Sequence, residues 1–314
     1  MWLGPVTVFV LLVGAVWLSL YAAYVLLPFV RPGYLVILDA KYESLAKGRM
    51  FGPEDRNRVM IFGHSKLLSG LRPHELDAAI GDGFRSYNVG LPGDVRFLPL
   101  LESALQAGNV PTHVLLTLPW DDKREADTFV DALRNDTAIA NTLFPFRMLP
   151  RDVALFVFQN RSRLADAARD VAKQRAAMLE ERGWYFIKSQ SHYEGDRLPD
   201  DYALPTDQSA RTDPRIIPEA SFSRKRLEQL AGQYGFQVLI VPLFYRTGEF
   251  AAAPSAQDAR SEKISERPLM RVLGPDYFTY PPSFFADPQH MNPRGAEAYT
   301  ADLARLLRTS GAFD

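Results

Sequence analysis

Val59-Met60-Ile61-Phe62-Gly63-His64-Ser65-Lys66-Leu67-Leu68-Ser69-Gly70 is an apolar run that breaks into a Gly-x-Ser turn. The run Val59 to Phe62 has the length and character of a strand buried on both faces. Residues 73–80, opened by Pro73, carry the start signal of a helix. A strand that enters such a turn ahead of a helix holds the serine hydroxyl at the carboxyl end of a parallel sheet, where open α/β sheets bind ligands. Neighbouring backbone N–H groups are then placed to stabilise an oxyanion. Ser65 is therefore a candidate nucleophile. The same residues also serve an ordinary tight turn, so only a partner base elsewhere gives the serine chemical meaning.

Outward from this turn, Arg85-Ser86-Tyr87-Asn88-Val89 reads as a short strand closed by Gly90-Leu91-Pro92-Gly93-Asp94. A helix is expected over 95–107, with Leu98, Leu101 and Leu105 on one face and Gly108-Asn109 as its stop. Residues 113–118 form another buried strand, ending in Pro119-Trp120-Asp121-Asp122. Strands alternating with helices imply an α/β fold, a parallel sheet covered by helices on both faces. Residues 123–235 are expected to be a long insertion, helical over 152–182 and irregular over 188–219, where Pro199, Pro205, Pro214 and Pro218 fall. A helix over 223–234 and a strand over 235–241 follow, and 246–268 is loop-like in composition.

Upstream, residues 1–30 contain no charged side chain. As a helix, Val6 to Val30 rises about 37 Å, more than the roughly 30 Å hydrocarbon core of a bilayer. The stretch outlasts a signal-peptide core and no basic segment precedes it, which points to an uncleaved transmembrane anchor. Residues 31–57 read as a juxtamembrane connector, and 58–314 as the main domain. Arg31, Lys41, Lys47 and Arg49 all follow the span, which by the positive-inside rule argues for a cytoplasmic body.

The net charge of −1 gives no reason to expect nucleic acid. Cysteine is absent, so disulfides and thiolate metal sites are excluded. The five histidines, at 64, 74, 113, 192 and 290, show no zinc-binding spacing, and no glycine-rich phosphate loop is present. No metal or cofactor is expected.

The second informative stretch is Phe284-Phe285-Ala286-Asp287-Pro288-Gln289-His290-Met291-Asn292-Pro293-Arg294-Gly295. Asn292 is suited to cap a final helix, with Pro293 in its first turn and Ala296, Tyr299, Leu303, Leu306 and Leu307 as its buried stripe. His290 then sits in a tight loop just before that helix. A serine nucleophile needs a base, and the base needs an acceptor that fixes its tautomer. Asp287 and His290 can supply both from one turn.

In these blocks the chain resembles the SGNH (GDSL-like) hydrolases, in particular the membrane-anchored bacterial members linked to polysaccharide O-acylation of the cell envelope. The first block matches at Gly63, Ser65 and Gly70, the second at Asn88 and Gly93, and the last at Asp287, His290, Asn292 and Gly295. The resemblance covers about half the chain, over 55–120 and 236–308. There are two departures. His64 stands where the family usually has Asp, and Asp121 stands where an Asn amide donates to the oxyanion. Losing one such donor typically costs about 100-fold to 1,000-fold in turnover.

The resemblance implies a three-layer sheet domain and an acyl-enzyme mechanism. Ser65 would be nucleophile, His290 base and Asp287 its orienter, with an oxyanion hole drawn from Ser65, Gly93 and position 121. Asn88, Trp120 and Tyr245 are the expected substrate-binding residues. The implied activity is that of a serine O-acyltransferase or acetylesterase acting on a polysaccharide. It would work beside a membrane-bound O-acyltransferase or other assembly proteins, from the inner membrane with its body facing the periplasm or exterior. The rival expectation is a catalytically weak scaffold of the same fold that binds glycan or partners.

Overall fold

Continuous apolar runs set the sheet, because a strand covered on both faces needs no polar alternation. The computed structural model describes residues 4–31, 33–92, 97–117, 144–186, 191–203, 221–249 and 261–313. In chain order the helices are α1 (Pro5–Leu26), α2 (Gly33–Lys47), α3 (Ser65–Gly70), α4 (Pro73–Ile80), α5 (Leu98–Gln106), α6 (Leu149–Asn160), α7 (Leu164–Glu180), α8 (Phe222–Tyr234) and α9 (Pro293–Thr309). The strands are β1 (Asn57–Phe62), β2 (Phe84–Asn88), β3 (His113–Leu116), β4 (Gln237–Ile240), β5 (Leu243–Arg246), β6 (Ser261–Glu266), β7 (Leu269–Leu273) and β8 (Tyr277–Tyr280).

The chain divides into two units, Met1–Val36 with Lys123–Arg175, and Ile37–Asp122 with Ala176–Asp314. The second holds the sheet, in the order β2-β1-β3-β4-β7-β6. Its strands run parallel except β6, which is antiparallel to β7. Side chains alternate between two cores, as the period of two requires. Met60, Phe62, Val114, Leu116, Val238 and Ile240 face Leu100, Leu101 and Ala104 of α5 and Leu227, Leu230 and Ala231 of α8. Val59, Ile61, Leu115 and Leu239 face Leu67 of α3, Leu76 of α4, and Tyr299 and Leu303 of α9. Helices therefore flank the sheet on both faces. The chain leaves β1 for β2 on one side and returns to β3 on the other, so a topological switch point opens at the carboxyl ends of β1 and β3. Beyond that edge, β5 and β8 form a separate parallel pair.

In the first unit, α1 is long and apolar enough to cross a membrane, and none of its residues is buried. Val30, Phe146 and Leu149 form a small apolar cluster with Trp17, Leu20, Tyr24, Leu27, Val153 and Phe156.

Three sequence expectations need correction. Residues 31–57 are more than a connector: α2 occupies 33–47, and Ile37, Ala40, Lys41 and Leu45 are buried. Within the expected insertion at 123–235, the described residues 176–186, 191–203 and 221–235 fall in the unit that holds the sheet, and α8 buries Leu227 and Leu230 against it. The loop-like stretch 246–268 contains β6, a charged edge strand whose sequence Ser-Glu-Lys-Ile-Ser-Glu hides its pairing with β7.

Candidate active site

Ser65 is the first residue of α3, three residues past the end of β1. His64 caps the helix, its Nδ1 accepting the Lys66 N–H at 3.2 Å. The turn is clamped onto the sheet: the Leu91 N–H donates to the Gly63 carbonyl at 2.9 Å and the Thr117 N–H to the Phe62 carbonyl at 3.0 Å. A Cβ on Gly63 would lie 2.3 Å from Thr117 Oγ1 and 2.8 Å from Leu67 Cβ. One on Gly70 would lie 2.2 Å from the Phe244 ring. Both motif glycines are thus required by close approach, at either end of the serine helix.

Asn88 ends β2 and is 2% exposed. Its Nδ2 donates to the carbonyls of Leu67 at 2.8 Å and Leu71 at 2.9 Å, and its Oδ1 accepts the Gly90 N–H at 2.9 Å. The expectation that Asn88 binds substrate is therefore corrected, since its amide is buried and spent on backbone; it braces the serine turn. Behind it lies a residue that sequence reasoning missed. Lys41 Nζ, buried on α2, donates to the carbonyls of Asn88 at 2.7 Å and Gly183 at 3.0 Å. Burial pushes this ammonium well below the ordinary lysine range. No sequence signal marks it, because Lys41 lies among the interleaved charges of α2.

Asp287 and His290 share one turn. Asp287 Oδ2 lies 2.8 Å from His290 Nδ1, while Oδ1 accepts the N–H groups of Gln289 at 2.8 Å and His290 at 2.9 Å. The loop closes on itself through the Ala286 N–H, which donates to the His290 carbonyl at 2.8 Å. Ser191 Oγ donates to the Ala286 carbonyl. Burial alone would raise the Asp287 carboxyl, but the hydrogen bonds from His290 and the Gln289 N–H outweigh it and hold it below the usual carboxylate range. A carboxylate on Nδ1 assigns the proton to that nitrogen and leaves the Nε2 lone pair to accept one, which is the working state of a general base. Asn292 caps α9 through the Gly295 N–H at 3.0 Å, and Nδ2 donates to the Ser283 carbonyl at 2.9 Å, fixing where the loop ends.

A buried ionic cluster runs between the two stretches. Arg246, at the end of β5, donates from Nε to the Pro288 carbonyl at 3.0 Å. Glu249 accepts the Arg246 N–H at 3.0 Å and lies 3.6 Å from its Nε and 3.7 Å from Lys66 Nζ. Lys66 follows Ser65 directly, and its Nζ sits 3.9 Å from the centre of the Tyr245 ring. Tyr245 is half-buried beside the serine turn. The Asp287–His290 loop and the Ser65 turn are thus linked through Pro288, Arg246, Glu249 and Lys66. Among the described residues Ser65 Oγ and His290 Nε2 make no hydrogen bond to each other; the imidazole bonds Asp287 alone. Arg246 and Glu249 escaped sequence reasoning because their partners are remote in the chain.

Gly93, Trp120 and Asp121 lie outside the described residues. Among those described, no group of three or more His, Asp or Glu side chains is placed to hold a metal ion. Comparison with known proteins finds no matching family model, no matching curated protein and no matching solved structure.

Proposed function

We propose that this chain is a membrane-anchored serine O-acyltransferase or acetylesterase of the SGNH type, acting on a cell-envelope polysaccharide through an acyl-enzyme. The observation that carries the reading is the Asp287–His290 pair, held at 2.8 Å in one loop and tied through Arg246, Glu249 and Lys66 to the turn bearing Ser65. In the proposed reaction His290 Nε2 takes the Ser65 Oγ proton as the oxygen attacks the acyl carbonyl, then returns that proton to the leaving alcohol. A sugar hydroxyl or water then attacks the acyl-enzyme, and the base repeats its role. The polysaccharide class and the periplasmic or exterior placement rest on the resemblance of the motif blocks. Transfer is preferred to hydrolysis because an anchor keeps the site near a membrane-embedded acyl source.

A second reading, a catalytically weak scaffold binding glycan or assembly partners, is favoured by the missing hydrogen bond between Ser65 and His290. One experiment separates the two. The full-length protein in detergent is treated with a fluorophosphonate probe and an activated acetyl ester. Labelling and turnover that vanish in Ser65→Ala support the enzyme. No labelling, or labelling that persists in Ser65→Ala, removes it.

A further inference from the structure

The first unit presents an apolar groove of about 500 Å³ lined by Phe9, Leu12, Val13, Val16, Trp17, Leu20, Phe144 and Phe146. One wall is α1 and the other is a segment more than a hundred residues later. The depth of the groove follows from arithmetic. A span of about 20 residues placed anywhere within the uncharged residues 1–30 must include 11–20. Leu12, Val13, Val16, Trp17 and Leu20 are therefore in the hydrocarbon region in every register of a spanning anchor. Phe146 packs edge-on to Trp17 with ring centres 5.7 Å apart, and Phe144 packs edge-on to Phe146 at 6.1 Å. Both phenylalanines share the depth of the anchor residues they touch.

The exposed side chains agree. Leu12 is 61% exposed, Val16 59% and Phe144 49%. Such a contiguous apolar surface in water carries a large cost, whereas facing lipid it carries none.

We infer that Phe144–Phe146 dips into the bilayer beside α1 and that the groove between them receives an acyl chain of a bilayer lipid. The occupant is the surrounding lipid and not a protein partner. This rests on the reading of α1 as a membrane anchor, so the test carries its own control for that.

The chain has no cysteine, so single reporters are introduced without background. Full-length Phe144→Cys, Met148→Cys, Val10→Cys and Arg308→Cys are each labelled with an environment-sensitive fluorophore. They are then reconstituted into phosphatidylcholine–phosphatidylglycerol vesicles carrying acyl-chain nitroxides. The Phe144 and Val10 labels are expected to be quenched several-fold more by nitroxide lipid than the Arg308 label, and to be shielded from aqueous iodide. Met148, next to Arg147, serves in place of Phe144 if that variant misfolds. If Val10 is lipid-quenched while Phe144 and Met148 respond to iodide like Arg308, the inference is wrong and the anchor stands. Phe144 shielded from both quenchers means that protein covers it, which also overturns the inference. If Val10 itself escapes lipid quenching, the anchor reading fails first.

Discussion

The serine turn and the histidine loop carry the two halves of one proposed reaction, yet they are held in place by different means. Lys66 to Gly70 are buried, and the turn is fixed by the Asn88 amide, by the sheet and by glycines packed against Thr117 and Phe244. The Asp287 and His290 side chains are 40% and 35% exposed and are held mainly by bonds within four residues. The proposed nucleophile is therefore placed by the global fold, whereas the proposed base is placed by a local turn with a few long-range ties, from Ser191 to the Ala286 carbonyl and from Arg246 to the Pro288 carbonyl. Damage around the serine should unfold the domain; damage around the histidine should change the chemistry and leave the fold intact.

The largest expected effect tests the chemistry on both sides at once. Ser65→Ala and His290→Ala should each lower ester turnover by about 10⁶-fold, because triad members act as one unit. Thermal melting should move little in either variant, since each removes a partly exposed group. Turnover near wild type in both would end the enzyme reading and leave the scaffold.

Asn88→Ala tests the brace. It strands the Leu71 carbonyl and the Gly90 N–H in a buried site, while the Leu67 carbonyl keeps the Leu71 N–H. At about 1–3 kcal/mol for each stranded group, a loss of roughly 2 kcal/mol or more is expected in chemical denaturation. A loss below about 1 kcal/mol would mean that the turn holds itself, and the contrast between the two regions would collapse.

Arg246→Met tests the tie between them. Methionine keeps much of the stem volume but frees the Pro288 carbonyl, while Glu249 retains Lys66. A shift of about 1 Å in the base typically costs on the order of 100-fold in turnover. Arg246→Lys should not restore it, because an ammonium lacks the planar fork. Activity within a few-fold of wild type would show that the loop needs no help from β5.

Most of the central sheet was legible because β1, β3 and β4 are uninterrupted apolar runs, and the capping of α9 by Asn292 was legible because cap, proline and stripe coincide. The strands that escaped did so for physical reasons. β6 is a charged edge, and β5 and β8 are short and flanked by Pro242 and Pro281, so their pairing has no local signature. The candidate site shows the same division. Asp287 and His290 declare themselves by spacing on one turn, whereas the roles of Asn88, Arg246, Glu249 and Lys41 depend on partners that only the folded chain brings near. Asn88 was misassigned because a polar residue closing a strand looks alike whether it faces a ligand or buried backbone groups.

The smallest expected effect concerns the pH dependence of the histidine loop. The Asp287 carboxyl is held lower in the folded chain than its ordinary value, because bonds from His290 and Gln289 outweigh burial. A carboxyl so depressed contributes stability above its unfolded pKa of about 3.9, and that contribution is lost as pH falls through the folded value. Asp287→Asn should therefore be less stable than wild type at neutral pH. With the carboxylate 40% exposed, screening keeps the difference under about 1 kcal/mol. The two proteins should then converge as pH drops below about 4, because protonation removes from the wild type what the substitution removed from the variant. Denaturation at neutral pH and again near pH 3 measures both arms. A gap of the same size at both values would mean that the asparagine harms the loop by shape and not by charge. A gap that widens in acid would reverse the sign and show that the carboxyl is not stabilised by the imidazole at all.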